Sequence, residues 1–377
     1  MKTNPIVESD LHTIIEGLGK DLYRFEGKKV LISGACGFLG SWFIAVFEYC
    51  NQRLFKEPVT VYAIDSFIAT DSNNNIVEVK SPYIQFIKAD ISRFPFFPHD
   101  KIDFIIHAAG IASPIYYRKF PIETIEGMAM GLYKLLQYAT DNPVEGFLYF
   151  SSSEAYGNPD QDNVPMYETY NGNVSTLGPR SCYDESKRFG ETMSMIWQQQ
   201  KGIPVTMVRP FNVYGPGMRV KDDRVVPKFI FQILRGEPLT VHVPGTQTRT
   251  FCYITDAMIG FFKVLLLGKP GEVYNIGQDN PEIGMIELAE QMKQMFGINK
   301  VKIKEVEMPQ EYPTDQAQRR LPSISKAKEY LGYYPSISLN QGLRRSFEWC
   351  QYALEAWNET QPKPVQVDNP PTSKGIK

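Results

Sequence analysis

The sequence predicts an α/β fold: a doubly wound parallel sheet joined to a smaller, interleaved C-terminal substrate domain. Three observations point there. From Lys28 onward, short apolar runs alternate with helical stretches, the pattern of a parallel sheet covered on both faces. The first run, Val30–Ser33, passes straight into a glycine-rich turn, Gly34-Ala35-Cys36-Gly37-Phe38-Leu39-Gly40. Small or acidic residues then recur at the carboxyl ends of later runs, where open α/β sheets bind ligands.

The elements follow in order. Residues 1–27 read as a leader helix, with Leu11, Ile14, Ile15 and Leu18 at helical spacing. Further strands are expected at Val59–Ile64, Ile84–Ile87, Phe104–His107, Phe147–Ser151 and Val205–Val208. From Phe211 the chain is richer in Pro and Gly, and a helix is expected over Ile286–Phe296. The most apolar stretch, Ile259–Leu267, is interrupted by Lys263. It is too short to span a bilayer and reads as a buried helix. Residues 28–210 with about 251–280 form the expected dinucleotide domain, and 211–250 with 281–350 the second domain. The tail 361–377, rich in Pro and polar residues, is expected to be disordered.

Composition narrows the function. The chain has 377 residues, 43% hydrophobic and 22% charged, ordinary values for a soluble globular protein. A net charge of −2 provides no broad basic face for nucleic acid or an anionic membrane. Five cysteines without a CxxC, and only four histidines, argue against a disulfide framework and a metal site. No basic segment followed by an apolar run opens the chain, so a reducing, cytoplasmic setting is expected.

The glycine turn predicts a Rossmann-type dinucleotide site. Gly34 permits the tight turn, Gly37 lets the backbone approach a pyrophosphate, and Gly40 lets helix and strand pack closely. The helix opening at Phe38 and Leu39 then presents N–H groups to the phosphates. Asp65 ends the second strand and is placed to accept from ribose hydroxyls, favouring NAD over NADP. It lies 31 residues past Gly34, more than the usual ~20, because of a long helix and loop. Asp90 and Ile91, after the third strand, and Ala108 and Ala109, after the fourth, complete the expected cofactor wall.

The reacting groups come next. Tyr183 and Lys187 are one helical turn apart and share a face. A nearby ammonium, and a nicotinamide that is positive when oxidised, would favour the phenolate, which can take a proton from a sugar hydroxyl as hydride leaves. Ser152, at the end of the fifth strand, would hold that hydroxyl. Glu154 is unnecessary for simple alcohol oxidation and would serve events at the neighbouring carbon.

From Lys28 to Cys350 the chain resembles the extended short-chain dehydrogenase/reductases that act on sugar nucleotides, the NAD-dependent epimerase/dehydratase family. Within it, the chain is most similar to the UDP-glucuronate decarboxylases. The matching pieces are residues 178–188 (GPRSCYDESKR), 209–216 (RPFNVYGP), 224–230 (RVVPKFI), 247–256 (QTRTFCYITD), 319–328 (RRLPSISKAK) and 331–335 (LGYYP). The resemblance implies that Asn212 and Arg249 hold a diphosphate, that Val226 and Phe229 border the base, that Ser153 lines the sugar, and that Arg320 lies near its carboxylate. It implies oxidative decarboxylation of UDP-glucuronate to UDP-xylose or its 4-keto intermediate, with a 4,6-dehydratase and then a 4-epimerase as alternatives. In the dehydratases acting on dTDP-glucose an acid stands where this chain has Ser153. A homodimer built on a four-helix bundle is also implied, with Met128, Leu132, Leu135, Met193 and Ile196 as contact candidates. The chain departs from the family pattern at Met128 (commonly Asn), Ile115 (often Pro), Leu321 (commonly basic) and Ser323 (commonly Asp).

Overall fold

A computed structural model describes residues 4–68, 76–94, 101–219, 222–298, 301–307 and 317–360, with side chains to residue 354. The expected disordered tail, 361–377, lies outside the described residues. The first half comprises α1 (Pro5–Leu18), β1 (Lys29–Ser33), α2 (Phe38–Arg53), β2 (Thr60–Asp65), β3 (Ile84–Lys88), β4 (Phe104–His107), α3 (Pro114–Lys119), α4 (Pro121–Ile125), α5 (Gly131–Asp141), β5 (Gly146–Phe150), α6 (Ser181–Lys201) and β6 (Val205–Pro210). The second half comprises β7 (Val213–Tyr214), α7 (Val225–Arg235), β8 (Leu239–His242), β9 (Thr248–Arg249), β10 (Cys252–Tyr253), α8 (Ile254–Leu267), β11 (Val273–Ile276), β12 (Ile283–Gly284), α9 (Met285–Met295), β13 (Ile303–Val306), β14 (Arg319–Arg320), α10 (Ser325–Leu331) and α11 (Leu339–Thr360).

Among the described residues, seven strands form one parallel sheet in the order β3-β2-β1-β4-β5-β6-β11. The chain builds outward from β1 to β3, then returns to place β4 on the other side of β1. This reversal opens a crevice beyond the carboxyl ends of β1 and β4, where ligands bind in such sheets. Val30, Leu31 and Ile32 in β1, and Phe104, Ile105 and Ile106 in β4, are fully buried. Strands covered on both faces read as continuous apolar runs for this reason.

The expected strands are present with small shifts. β5 stops at Phe150, one residue early, because the chain turns into a 3₁₀ helix at Ser153–Tyr156, where the Ser152 hydroxyl accepts from Glu154 N–H. The apolar helix α8 starts five residues before its apolar stretch and lies against β5, β6 and β11. The edge strand β11 extends the large sheet beyond β6, and α10 packs on it, with Lys326 Nζ donating to the Val273 carbonyl at 2.7 Å. Short ribbons, β7–β10, β9 with β12 and β14, and β8–β13, form the second layer.

The leader helix packs on the body. Asn4 caps α1 by accepting from Ile6 N–H, and Val7, Leu11, Ile14 and Leu18 are buried against α8 and α2. Asp10, fully buried, accepts from Tyr253 Oη at 2.6 Å and from Arg345 at 2.7 Å. Of the five residues put forward for a dimer contact, Met128, Leu132, Leu135 and Met193 are buried within their own chain, and Ile196 is exposed. Leu132, Leu135 and Met193 pack into the chain's own core with residues of β1, β4, β5 and β6, and Met128 packs with Ile111, Tyr117 and Tyr183.

Candidate active site

A cavity of about 780 Å³ opens at the carboxyl end of the sheet. It runs from Gly34, Gly37, Phe38, Leu39 and Gly40 past Ala108, Ser152, Ser153, Glu154, Tyr183 and Lys187 to Asn212, Val226, Phe229, Arg249 and Arg320. A smaller one, about 120 Å³, adjoins it and is lined by Gly34, Gly37, Asp65, Asp90, Ile91, Ala108 and Ala109. The residues singled out from the sequence are thus brought onto two adjoining hollows.

The glycine turn is compact for a steric reason. Gly34 has φ +76°, and a Cβ there would lie 2.6–2.7 Å from the Ala108–Ala109 backbone. A Cβ on Gly40 would come within 2.2 Å of the Gly34 carbonyl. Gly37 caps α2 without any side-chain hydrogen bond, so the helix start faces the cavity with its own backbone donors. Asp65 ties the turn together, accepting from Cys36 N–H and Phe67 N–H, each at 2.9 Å. Asp90 accepts from the Ser92 N–H at 2.9 Å and from its hydroxyl at 2.7 Å.

β4 ends at His107, which is fully buried. Its ring nitrogens face the Ser33 hydroxyl at 2.6 Å and the Met128 carbonyl at 3.3 Å. Burial, with help from the Lys187 charge, pulls its pKa down to about 3, so the imidazole is neutral. It spaces β1, β4 and the helical turn at Met128, which itself lines the cavity.

Tyr183 and Lys187 stand on one face of α6, both buried. Lys187 Nζ donates to the Phe150 carbonyl at 2.6 Å and lies 5.7 Å from the Tyr183 ring centre. The Ser152 hydroxyl hydrogen-bonds the phenol. Burial raises Tyr183 to about 12, and the Ser152 bond offsets only part of that. Burial also lowers Lys187 to about 7. Desolvation works against both charged forms, and the positive charge that oxidised NAD would bring acts in the opposite direction on the phenol.

Glu154 meets two guanidinium groups. Arg320 grips it bidentately, Nη1 to Oε1 and Nη2 to Oε2, the latter at 2.7 Å, while Arg180 Nη2 pairs with Oε2. Burial works against the charge, but the two arginines overcome it and hold Glu154 at about 2. Behind Arg180, Asp184 Oδ2 accepts from its Nε at 3.3 Å. Arg249 donates to the carbonyls of Thr248, Gln318 and Ala317, and burial followed by the Arg320 charge brings it down to about 9. Asn212 adopts φ +41° beside it, and its Nδ2 donates to the Thr250 carbonyl at 2.8 Å. Val226 and Phe229 sit buried on α7 at the far end of the cavity.

The model of the NAD dependent epimerase/dehydratase family matches residues 30–277. The chain belongs to that family. It is similar to UDP-glucuronic acid decarboxylase 6 of Arabidopsis thaliana, 39% identical over 316 residues that cover 84% of this chain and 86% of the relative. Among solved structures, the epimerase Mth375 of Methanothermobacter thermautotrophicus shares the fold at 24% identity and a TM-score of 0.76, covering 92% of this chain and 98% of its own. The UDP-glucuronic acid 4-epimerase of Bacillus cereus, solved with UDP-glucuronic acid and NAD, is 27% identical with a TM-score of 0.72, covering 86% of this chain and 99% of its own.

As a member of this family the chain uses NAD, and its residues fit that group. The positions a Cβ would fill at Gly34 and Gly40, and the uncapped start of α2, form a cradle for a pyrophosphate. Sequence reasoning assigned no role to Arg180, Asp184, Tyr117 or His107. Arg180 and Asp184 stood inside the 178–188 motif. Their distance in the chain from Glu154 and Arg320 concealed that the four meet. Tyr117, stacked on Tyr183 with ring centres 5.4 Å apart, carried no local signal.

Proposed function

We propose that the chain decarboxylates UDP-glucuronate through oxidation at C4, giving UDP-xylose or its 4-keto intermediate. The observation that carries this reading is Glu154. It is held ionised by Arg320 and Arg180 beside the Tyr183–Ser152 pair, in a cavity that presents guanidinium groups to an acidic sugar. A 4,6-dehydratase needs an acid to protonate the departing C6 hydroxyl. Ser153 is a poor acid, and Glu154 at about 2 holds no proton at neutral pH.

When bound, NAD accepts hydride from C4 and later returns it. Ser152 holds the C4 hydroxyl, and Tyr183, as phenolate, takes its proton. The C4 ketone stands β to the C5 carboxylate, so the C5–C6 bond breaks, CO2 leaves, and the electron pair enters a C4–C5 enolate. C5 then takes a proton, and Tyr183 returns a proton to the C4 oxygen. Arg320 orients the carboxylate by a fork-shaped contact. Asn212 and Arg249 hold the diphosphate, while Asp65, Asp90, Ile91, Ala108 and Ala109 border the adenosine half of the cofactor.

A second reading, 4-epimerisation of a UDP-uronate, draws support from the likeness to the Bacillus cereus enzyme solved with UDP-glucuronic acid. Mass spectrometry after incubation with UDP-glucuronate separates the two. Loss of CO2 with a UDP-pentose or its keto form supports decarboxylation, whereas a product of unchanged mass and inverted C4 supports epimerisation. Water loss from dTDP- or GDP-hexoses would instead support a dehydratase.

Further parts of the reading concern assembly and setting. A homodimer would use the outer faces of α5 and α6, where Tyr133, Phe189 and Ile196 are exposed. A reducing compartment such as the cytoplasm suits cysteines present as thiols. Among the described residues no helix is long and apolar enough to cross a membrane.

A further inference from the structure

Two guanidinium groups grip one carboxylate at Glu154. Arg180 also pairs with Asp184, so it links two buried carboxylates while Arg320 meets Glu154 alone. Three polar atoms around this cluster have no hydrogen-bond partner among the described residues: Arg320 Nε, Asp184 Oδ1 and Tyr117 Oη. Their residues are 6%, 5% and 1% exposed. Buried polar groups are nearly always satisfied, so unspent donors beside a cavity point to a ligand. Two of the three, Arg320 Nε and Tyr117 Oη, can donate to an anion.

We propose that Arg180, braced by Asp184, is a positioning residue that keeps Glu154 in place while Arg320 turns its fork to the carboxylate of the sugar. This rests on the uronate reading above. Glu154 sits in the Arg320 fork. An entering carboxylate displaces it from that fork, and Arg180 prevents the displaced Glu154 from being left as an unpaired buried charge, which is costly. Preference for an acidic sugar over a neutral one therefore depends on a residue behind the sugar as well as on Arg320.

The charged and titratable groups that face Glu154 fit this division of labour. Arg180 faces it from the cap position of α6, Tyr183 and Asp184 from α6, Tyr117 from α3, Arg320 from β14 and Arg249 from β9. Asp184 does not line the cavity. It accepts from Arg180 Nε, so it braces Arg180 from behind the cavity wall. Burial pushes the Asp184 carboxyl up, against the pull of Arg180.

The test compares binding of UDP-glucuronate and UDP-glucose to the NAD-loaded protein by calorimetry, in the parent, Arg180→Gln, Arg180→Lys and Asp184→Ala. Circular dichroism and bound NAD check folding. In Arg180→Gln, UDP-glucuronate should bind about 10–100-fold more weakly, the scale of one charged hydrogen bond, with UDP-glucose within about twofold of the parent. Arg180→Lys keeps the charge and should recover part of the loss, and Asp184→Ala should move the preference in the same direction by less. The acid limb of the pH–rate profile should also move upward in Arg180→Gln, because Glu154 loses one of the cations that keep it ionised. Equal weakening of both ligands, or unchanged UDP-glucuronate binding with an unmoved acid limb, would overturn the proposal. Should the parent release no CO2 from UDP-glucuronate, the functional reading fails. Should the parent do so and Arg180→Gln match it in every readout, only the role of Arg180 fails.

Discussion

Lys187 Nζ stands 5.7 Å from the centre of the Tyr183 ring, and its hydrogen bond to the Phe150 carbonyl ties it to the end of β5. The pair is therefore set by the sheet as well as by its helix. Tyr183→Phe removes the proton acceptor and leaves the ring stacked on Tyr117. Turnover should fall about 10²–10⁴-fold, with UDP-sugar affinity nearly unchanged. Steady-state kinetics and calorimetry on one preparation check this.

The lysine gives a pH signature. Its pKa is lowered by burial to about 7, so it loses its proton as pH rises through that value. If charged Lys187 supports the phenolate, log kcat/KM, which reports free-enzyme groups, should bend downward above about pH 7. Lys187→Met should be much less active and should lack that bend. A profile in the parent that keeps rising to pH 9 would separate Lys187 from the activation of Tyr183.

Asp10 makes the leader helix sensitive to pH. Burial raises it from 3.8 to about 6 despite Tyr253 and Arg345. A carboxyl whose folded pKa is raised contributes stability below its unfolded pKa, and that contribution is lost as pH rises through about 6. Asp10→Asn keeps an acceptor for Tyr253 without the charge. It should stabilise the protein by about 1–3 kcal/mol at pH 8, with a much smaller gain at pH 4. Denaturant titrations at both pH values give the comparison. A destabilised variant at pH 8 would mean that the ion pair with Arg345 outweighs the cost of burial.

Gly40 is a steric requirement. A methyl group would meet the Gly34 carbonyl at 2.2 Å and Ala35 backbone at 2.7–2.8 Å, neither of which can swing aside. Gly40→Ala should cost about 1–3 kcal/mol or more, lower Tm by several degrees, and weaken NAD binding. Thermal melts with and without NAD measure both effects.

The nucleotide half of the fold was legible in the sequence because its rules are local. The β1 run, its glycine turn and the acids at strand ends are each set by neighbours in the chain. Tyr183 and Lys187 were legible for the same reason, as a helical repeat. The Glu154 cluster was not, because Arg180, which caps α6, and Asp184 in its first turn meet Glu154 and Arg320 only after the sheet and the β9–β14 ribbon have formed. The desolvation of Tyr183 and Lys187 was not legible either, because depth of burial is a tertiary quantity. Met128, Leu132, Leu135 and Met193 show the converse. Their apolar character could not say whether this chain or a second copy covers them.

The reaction itself is tested most directly by turning over UDP-glucuronate in D2O and reading the product by NMR and mass spectrometry. Release of CO2, with one deuterium at C5 of the UDP-pentose and hydrogen retained at C4, is the expected result, because C5 takes its proton from exchangeable groups while C4 regains its own hydride. A product that keeps C6, or a pentose with deuterium at C4, would contradict it.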